Sequence, residues 1–309
     1  MNLRIVSFLP AATEMVAALG LIDHLVGISH ECDWPAEARS RPVVVRAALD
    51  TTVMSAAEID KAVSARLREG KSLYVVDEEQ LRAARPTHIL TQNLCEVCAP
   101  SGNELSRALE LLESKPEVIF MTPHTLAEIQ GNIRELAEAT NVSGRAETLF
   151  AQWQTRVAAV QRRLAGCAPI KVFFMEWVDP IYCSGHWMDE MIRLAGGVDS
   201  LSRPGTDTVR TPWEHVLAAA PEVLIIGPCG YHTQMATGQA LQLTHLPEWD
   251  SLPAVKNNRV YAVDANGYFA RPGPRVAEGI ELLAHLLHPD RCHWKGDAGA
   301  FVRATGAIS

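Results

Sequence analysis

Short apolar runs rich in β-branched residues alternate along the chain with stretches in which apolar side chains return every three to four positions. This alternation predicts βα units around a parallel sheet, an α/β fold. In the first half the runs fall at residues 4–9, 25–29, 88–91 and 118–122, and in the second at 171–176, 223–227 and 259–264. Helical spacing over 11–19 and 188–195 stops at Gly20 and Gly196, as helices do where a glycine lets the chain turn away.

After a break at 141–144, Leu149, Trp153, Val157, Val160 and Leu164 recur at helical spacing and predict one helix over 145–166. By the helical rise it is about 30 Å long, enough to span two lobes. The halves on either side resemble each other. "RIVSFLPAATEMVAALGL" parallels "KVFFMEWV" with "HWMDEMIRLAGGV", and "RPTHILTQNLC" parallels "APEVLIIGPCG". The expected organisation is an α/β lobe over 1–143, a linking helix over 144–167 and a similar α/β lobe over 168–309.

Composition narrows the class. Of the 309 residues, 48% are hydrophobic and 21% charged, which excludes a disordered chain, a disulfide miniprotein and a coiled coil. A net charge of -8 argues against a nucleic-acid partner held by phosphate neutralisation. Near the N-terminus Pro10, Thr13 and Glu14 interrupt the apolar run that a signal peptide needs, so a cytoplasmic chain is expected. Seven cysteines in a reducing compartment point to metal or redox chemistry before disulfides.

Ligands of parallel α/β sheets bind outside the carboxyl ends of the strands, so the segments that follow the strands hold the candidate chemistry. Cys95 and Cys98 form a C-x-x-C pair whose spacing lets two thiolates reach one zinc ion or one iron–sulfur cluster. His30 and Cys32, beside Glu31 and Asp33, follow another strand, and His124 follows a third. These groups are expected to gather on one rim of the first lobe, with Cys229 approaching from the second. The alternative is that the cysteines are buried small residues and the histidines cap loops. A thioredoxin-like use of the C-x-x-C lacks a strong helix start, and no nucleophile signature surrounds Cys32, Cys95 or Cys229. There is no P-loop and no G-x-G-x-x-G. A second constellation is aromatic: Trp34, Trp177, Trp187, Trp213, Tyr231, Tyr268 and Phe269 fall in or beside the same segments and suit a broad, flat ligand, unless they pack the core.

"SFLPAATEMVAALGL", "GISHECDWP", "RPTHILTQ", "YCSGHW", "TPWEHV" and "YFARPGPRV" stand in this order along the chain. In this the sequence resembles the helical-backbone substrate-binding proteins of metal-chelate importers, most closely the cobalamin-binding group, over essentially its whole length. The resemblance implies two α/β lobes joined by one helix, cobalamin or a related chelate held between them, and no catalysis. If the chain is exported, it implies the membrane components of an ABC transporter as partner. Trp177 and Trp213 stand at second-lobe positions where such receptors pack aromatics on the corrin. The first-lobe segments carry Glu31 with Cys32, and residues 93–98, in place of aromatics. Two classes therefore stand side by side: a chelate-binding protein, and a cytoplasmic metal- or cluster-dependent enzyme or cofactor-handling protein using the Cys/His cluster.

Overall fold

The computed structural model describes residues 2–69, 71–92, 109–110 and 112–304. The chain divides into two compact units. Unit 1 comprises Met1–Pro123 and Ala127–Phe150, and unit 2 comprises His124–Leu126 and Ala151–Ser309.

Unit 1 is built on β1 (Ile5–Ser7), β2 (Leu25–Ser29), β3 (Val43–Ala47), β4 (Tyr74–Val76), β5 (His88–Thr91) and β6 (Glu117–Phe120). They form one sheet in the order β4-β3-β2-β1-β5-β6, parallel except for β4. The predicted runs at 25–29 and 88–91 are strands over those residues, and the run at 4–9 is shorter because Pro10 opens the helix Pro10–Ala18. Proline is tolerated there, where no helical partner exists for its missing N–H. Strands β3 and β4 were not anticipated. Their side chains Val44, Val45 and Tyr74 pack with Val6, Phe8 and Ile89 in one buried cluster.

Unit 2 contains β7 (Ile170–Val178), β8 (Ile181–Cys183), β9 (Gly185–His186), β10 (Gly197–Val198), β11 (Arg203–Pro204), β12 (Val223–Ile226), β13 (Val260–Val263) and β14 (Phe301–Arg303). The main sheet runs β10-β7-β12-β13-β14, with β8 paired antiparallel to β7 and β14 antiparallel to β13. Its central strands read as near-continuous apolar runs because both faces are covered. All four residues of β12 and of β13 are buried. The helix Met188–Leu194 ends just before Gly196, which lies at φ 79°.

The predicted long helix spans Ser143–Leu164. Its first turns belong to unit 1, where Arg145 Nη1 donates to the carbonyls of Leu19 (2.7 Å) and Gly20 (3.1 Å). The remainder belongs to unit 2. There Trp153 Nε1 donates to Pro274 O at 2.8 Å, and Arg156 bridges Glu278 (3.1 Å) and Glu281 (2.6 Å) of the helix Val276–Leu287. Among the described residues no helix is long and apolar enough to cross a membrane.

Phe174, on β7, is fully buried and meets Phe269 edge-on with ring centroids 5.2 Å apart. Phe174→Ala is expected to destabilise unit 2 by about 3 to 5 kcal/mol, since it removes the ring and leaves a cavity that the flanking strands cannot close. Urea unfolding followed by circular dichroism checks this, and an unchanged midpoint would show that the site collapses freely.

Candidate functional site

In each sheet the strand order reverses beside the first strand of the unit. In unit 1 this falls between β1 and β5, in unit 2 between β7 and β12. At such a switch point connections leave toward opposite faces, and the carboxyl ends of the two strands border the place where α/β proteins bind ligands.

In unit 1, β2 ends at Ser29 and leads into His30, Glu31 and Cys32. His30 is exposed, its Nδ1 3.4 Å from Ser29 Oγ and its ring 6.3 Å from that of Tyr74. Cys32 is buried, and its Sγ accepts a 3.0 Å hydrogen bond from the Thr13 hydroxyl on the helix Pro10–Ala18. The thiol is turned into the packing of unit 1, as a small buried residue would be. Cys95 and Cys98 lie outside the described residues. The expected zinc or iron–sulfur centre gains no support from the rest of its set. His30 and Cys32 belong to no metal-sized group among the described residues, and His124 sits in unit 2.

In unit 2, Trp177 and Tyr231 stand at the switch point. The half-buried Trp177 ring meets Tyr231 edge-on at 5.6 Å, and its indole N–H donates to Asp179 O at 3.1 Å. Main-chain bonding continues beyond β12, with Gly227 N on Met175 O and Cys229 N on Glu176 O, both 3.1 Å. This fixes the 227–231 turn against the end of β7 and leaves Cys229 exposed.

The other predicted aromatics divide by burial. Trp34 is 40% exposed. Trp213 is buried and lies against Trp249, ring centroids 6.0 Å apart and nearly parallel, with its N–H donated to Pro247 O at 2.8 Å, so its ring packs within unit 2. Phe269 is core, against Phe174. Trp187 is buried and donates to Phe269 O at 3.0 Å, and Tyr268 is buried with its ring edge-on to Trp294 at 5.5 Å. Aromatics follow the strands as expected, but four of the seven named serve packing within the unit.

Two residues that sequence reasoning missed are His186 and Asp207. His124 and His186 have rings 5.5 Å apart and 25° from parallel, and His186 Nε2 lies 3.1 Å from Asp207 Oδ1. One ligand atom from each of the three residues can be chosen so that all lie within 4.8 Å of one another. Burial lowers the His186 pKa, as does neighbouring His124, while Asp207 pulls it up. The available signal was the histidine of "YCSGHW". Its partners stand 62 positions before it and 21 after, a spacing no short motif encodes.

Next to this group sit a half-buried carboxyl, Glu176, and a buried one, Asp199. Glu176 accepts from Gly185 N at 3.2 Å, and burial raises its pKa to about 8, with negative Asp199 adding to the rise. Burial also raises Asp199, to about 6, against the pull of the Phe174 and Leu201 backbone N–H groups at 3.0 and 2.9 Å.

This arrangement, α/β units with aromatic and polar groups at strand ends, is that of a ligand-binding protein of the periplasmic type. The family described as periplasmic binding protein matches residues 5–266, and the chain belongs to that family. It is 23% identical over 287 residues to the vitamin B12-binding protein of Vibrio parahaemolyticus, covering 92% of this chain and 89% of the relative. Two solved structures share the fold. The periplasmic heme-binding protein RhuT from Roseiflexus sp. RS-1 superposes with a TM-score of 0.69 at 22% identity, over 94% of this chain and 99% of that one. The periplasmic vitamin B12-binding protein BtuF of Vibrio cholerae gives 0.65 at 24%, over 92% and 96%.

The raised pKa of Glu176 makes stability depend on pH in a defined sense. The folded state holds the proton up to about pH 8, whereas the unfolded chain releases it near the ordinary glutamate value of 4.5. The contribution is therefore complete below the lower value and lost as pH rises through the upper one. Glu176→Gln, which keeps an acceptor for Gly185 N, is expected to match the parent near pH 5 and to exceed it in urea midpoint at about pH 8.5 or above. An equal difference at both pH values would show that the carboxyl ionises normally.

Proposed function

We propose that this protein is a substrate-binding protein for a flat metal chelate, cobalamin first, and that, as an exported chain and not the cytoplasmic one expected from its N-terminal composition, it passes the chelate to the membrane components of an ABC importer. What carries the reading is the match to vitamin B12-binding proteins along nine-tenths of the chain, combined with an aromatic pair at the switch point of unit 2. Heme is the second candidate, favoured by the heme-binding proteins that share the fold, among them HutB of Vibrio cholerae with a TM-score of 0.70. Both ligands are broad conjugated rings, and a half-buried indole offers them a face that costs little to desolvate.

Trp177 is assigned the packing surface, with Tyr231 holding its ring edge-on. Removing one large aromatic contact from a bound ring costs on the order of 1 to 3 kcal/mol, roughly ten- to a hundredfold in affinity. Titration calorimetry with cobalamin and with hemin is the test. Trp177→Ala is expected to weaken the chelate that binds by that factor while leaving the melting temperature close to the parent's. If neither chelate binds at micromolar concentrations, or if the variant binds as the parent does, the reading fails.

A further inference from the structure

His124, His186 and Asp207 come from three separate segments, and the main chain at or beside each is held by hydrogen bonds. His186 ends β9, and its backbone is fixed on both sides: its N–H donates to Thr206 O at 2.7 Å, and its carbonyl accepts from Gly205 N at 3.0 Å. The parallel pairing of β9 with β11 puts Arg203 opposite Gly185 and Pro204 opposite His186. A side chain at 185 could not be housed. A Cβ there would lie 2.6 Å from Thr206 O and 2.8 Å from Thr208 N. Glycine therefore lets the 206–208 turn close on the strand and deliver Asp207 to the imidazole. The third segment is tied to the helix that follows His186, because Leu126 N donates to Glu190 Oε1 at 3.2 Å.

A histidine hydrogen-bonded to an aspartate needs no further explanation by itself. The second imidazole, brought alongside with the same carboxylate in reach, does. Two imidazole nitrogens and one carboxylate oxygen form a donor set suited to zinc and to other divalent first-row ions, and three protein ligands leave a position open. The dimensions agree. Bonds of about 2.0 to 2.1 Å place neighbouring donors of a tetrahedral ion roughly 3.3 Å apart. The His186–Asp207 edge is already 3.1 Å and no chosen pair exceeds 4.8 Å, and the two imidazoles, stacked 25° from parallel, have to turn for a nitrogen of each to face one ion. With the backbones fixed beforehand, little chain ordering is left for the ion to impose.

The geometry points to a binding site for one divalent transition-metal ion of the zinc class on unit 2, with His124, His186 and Asp207 as its protein ligands and one position open to solvent or to a donor group of a bound molecule. The site stands apart from the chelate reading, since it requires neither Trp177 nor a corrin.

The test is titration of the intact protein, first stripped with a chelator, with zinc against a chromogenic competitor, and with cobalt for its visible spectrum. One equivalent is expected to bind, with a cobalt spectrum free of thiolate charge transfer. His124→Ala and His186→Asn should each weaken zinc binding by about ten- to a hundredfold or more. Asparagine is chosen because it accepts the left-handed backbone at 186. Asp207→Asn is the variant least able to disturb the fold, because that side chain is 77% exposed. Cys95 and Cys98 are the obvious competing ligands, so the titration is repeated with both changed to serine. Zinc affinity retained in that background and lost in the histidine variants supports the site. Affinity lost with the cysteines and kept in the histidine variants overturns it, as does the absence of stoichiometric binding in the parent. Cobalamin titration of the same variants separates this outcome from failure of the proposed function.

Discussion

The site in each unit depends on one main-chain constraint: neighbouring parallel strands whose connections depart to opposite faces. β2 lies on one side of β1 and β5 on the other, and β7 likewise stands between β10 and β12. At these ends the ladder runs out. Its last bonds come from residues past the strands, Phe8 N on Leu90 O (2.9 Å) in unit 1 and Cys229 N on Glu176 O in unit 2. A segment held in this way is fixed in backbone and open in side chain, the combination that recognition needs. The placement of Trp177 and Tyr231 follows from it more directly than from any property of aromatic residues.

Much of the fold is legible in the sequence because it is local. The long helix shows itself through Trp153, Val157 and Val160, and β2 and β5 lie where their β-branched runs lie. Most of the missed strands depend on a distant partner, β3 being the exception, since its Val43, Val44 and Val45 carry a local β signal. β4 and β14 are short antiparallel additions at sheet edges, and β9 and β11 are two-residue strands that pair only with each other. The candidate site is less legible for a related reason. A loop position predicts that an aromatic is near the rim, but Trp213 finds Trp249 and Phe269 finds Phe174, and those contacts are invisible along the chain. Cys32 shows the same limit, since its thiol reads as a ligand until Thr13 is seen to donate to it.

Desolvation has two outcomes at two carboxyls close enough that the charge of Asp199 acts on Glu176. Glu176 and Asp199 are both carboxyls withdrawn from water, yet the first is raised to about 8 and the second only to about 6. The difference lies in the donors. Asp199 takes backbone N–H groups from Phe174, Leu201 and Ser202, which favour its charged form, while Glu176 has the single N–H of Gly185. Asp199 thereby ties β7 to the 199–202 segment that leads into β11. Glu176 instead supplies a protonated carboxyl at the end of β7, a neutral polar group where an ion would face the cost of burial.

The backbone at His186 carries the last step. Its φ is 51°, in a region that costs a residue with a Cβ about 1 to 2 kcal/mol and that glycine or asparagine enters more easily. A two-residue strand is poor ground for such a cost. What holds the residue there is the pair of main-chain bonds to Thr206 and Gly205, together with the close approach at Gly185. Strain that the surrounding chain maintains while an imidazole occupies the position is a pattern of functional sites. The consequence of the strain is also specific. The same turn that accepts the N–H of His186 carries Asp207 to its ring, so relaxing the backbone would separate the imidazole from its carboxylate and from His124.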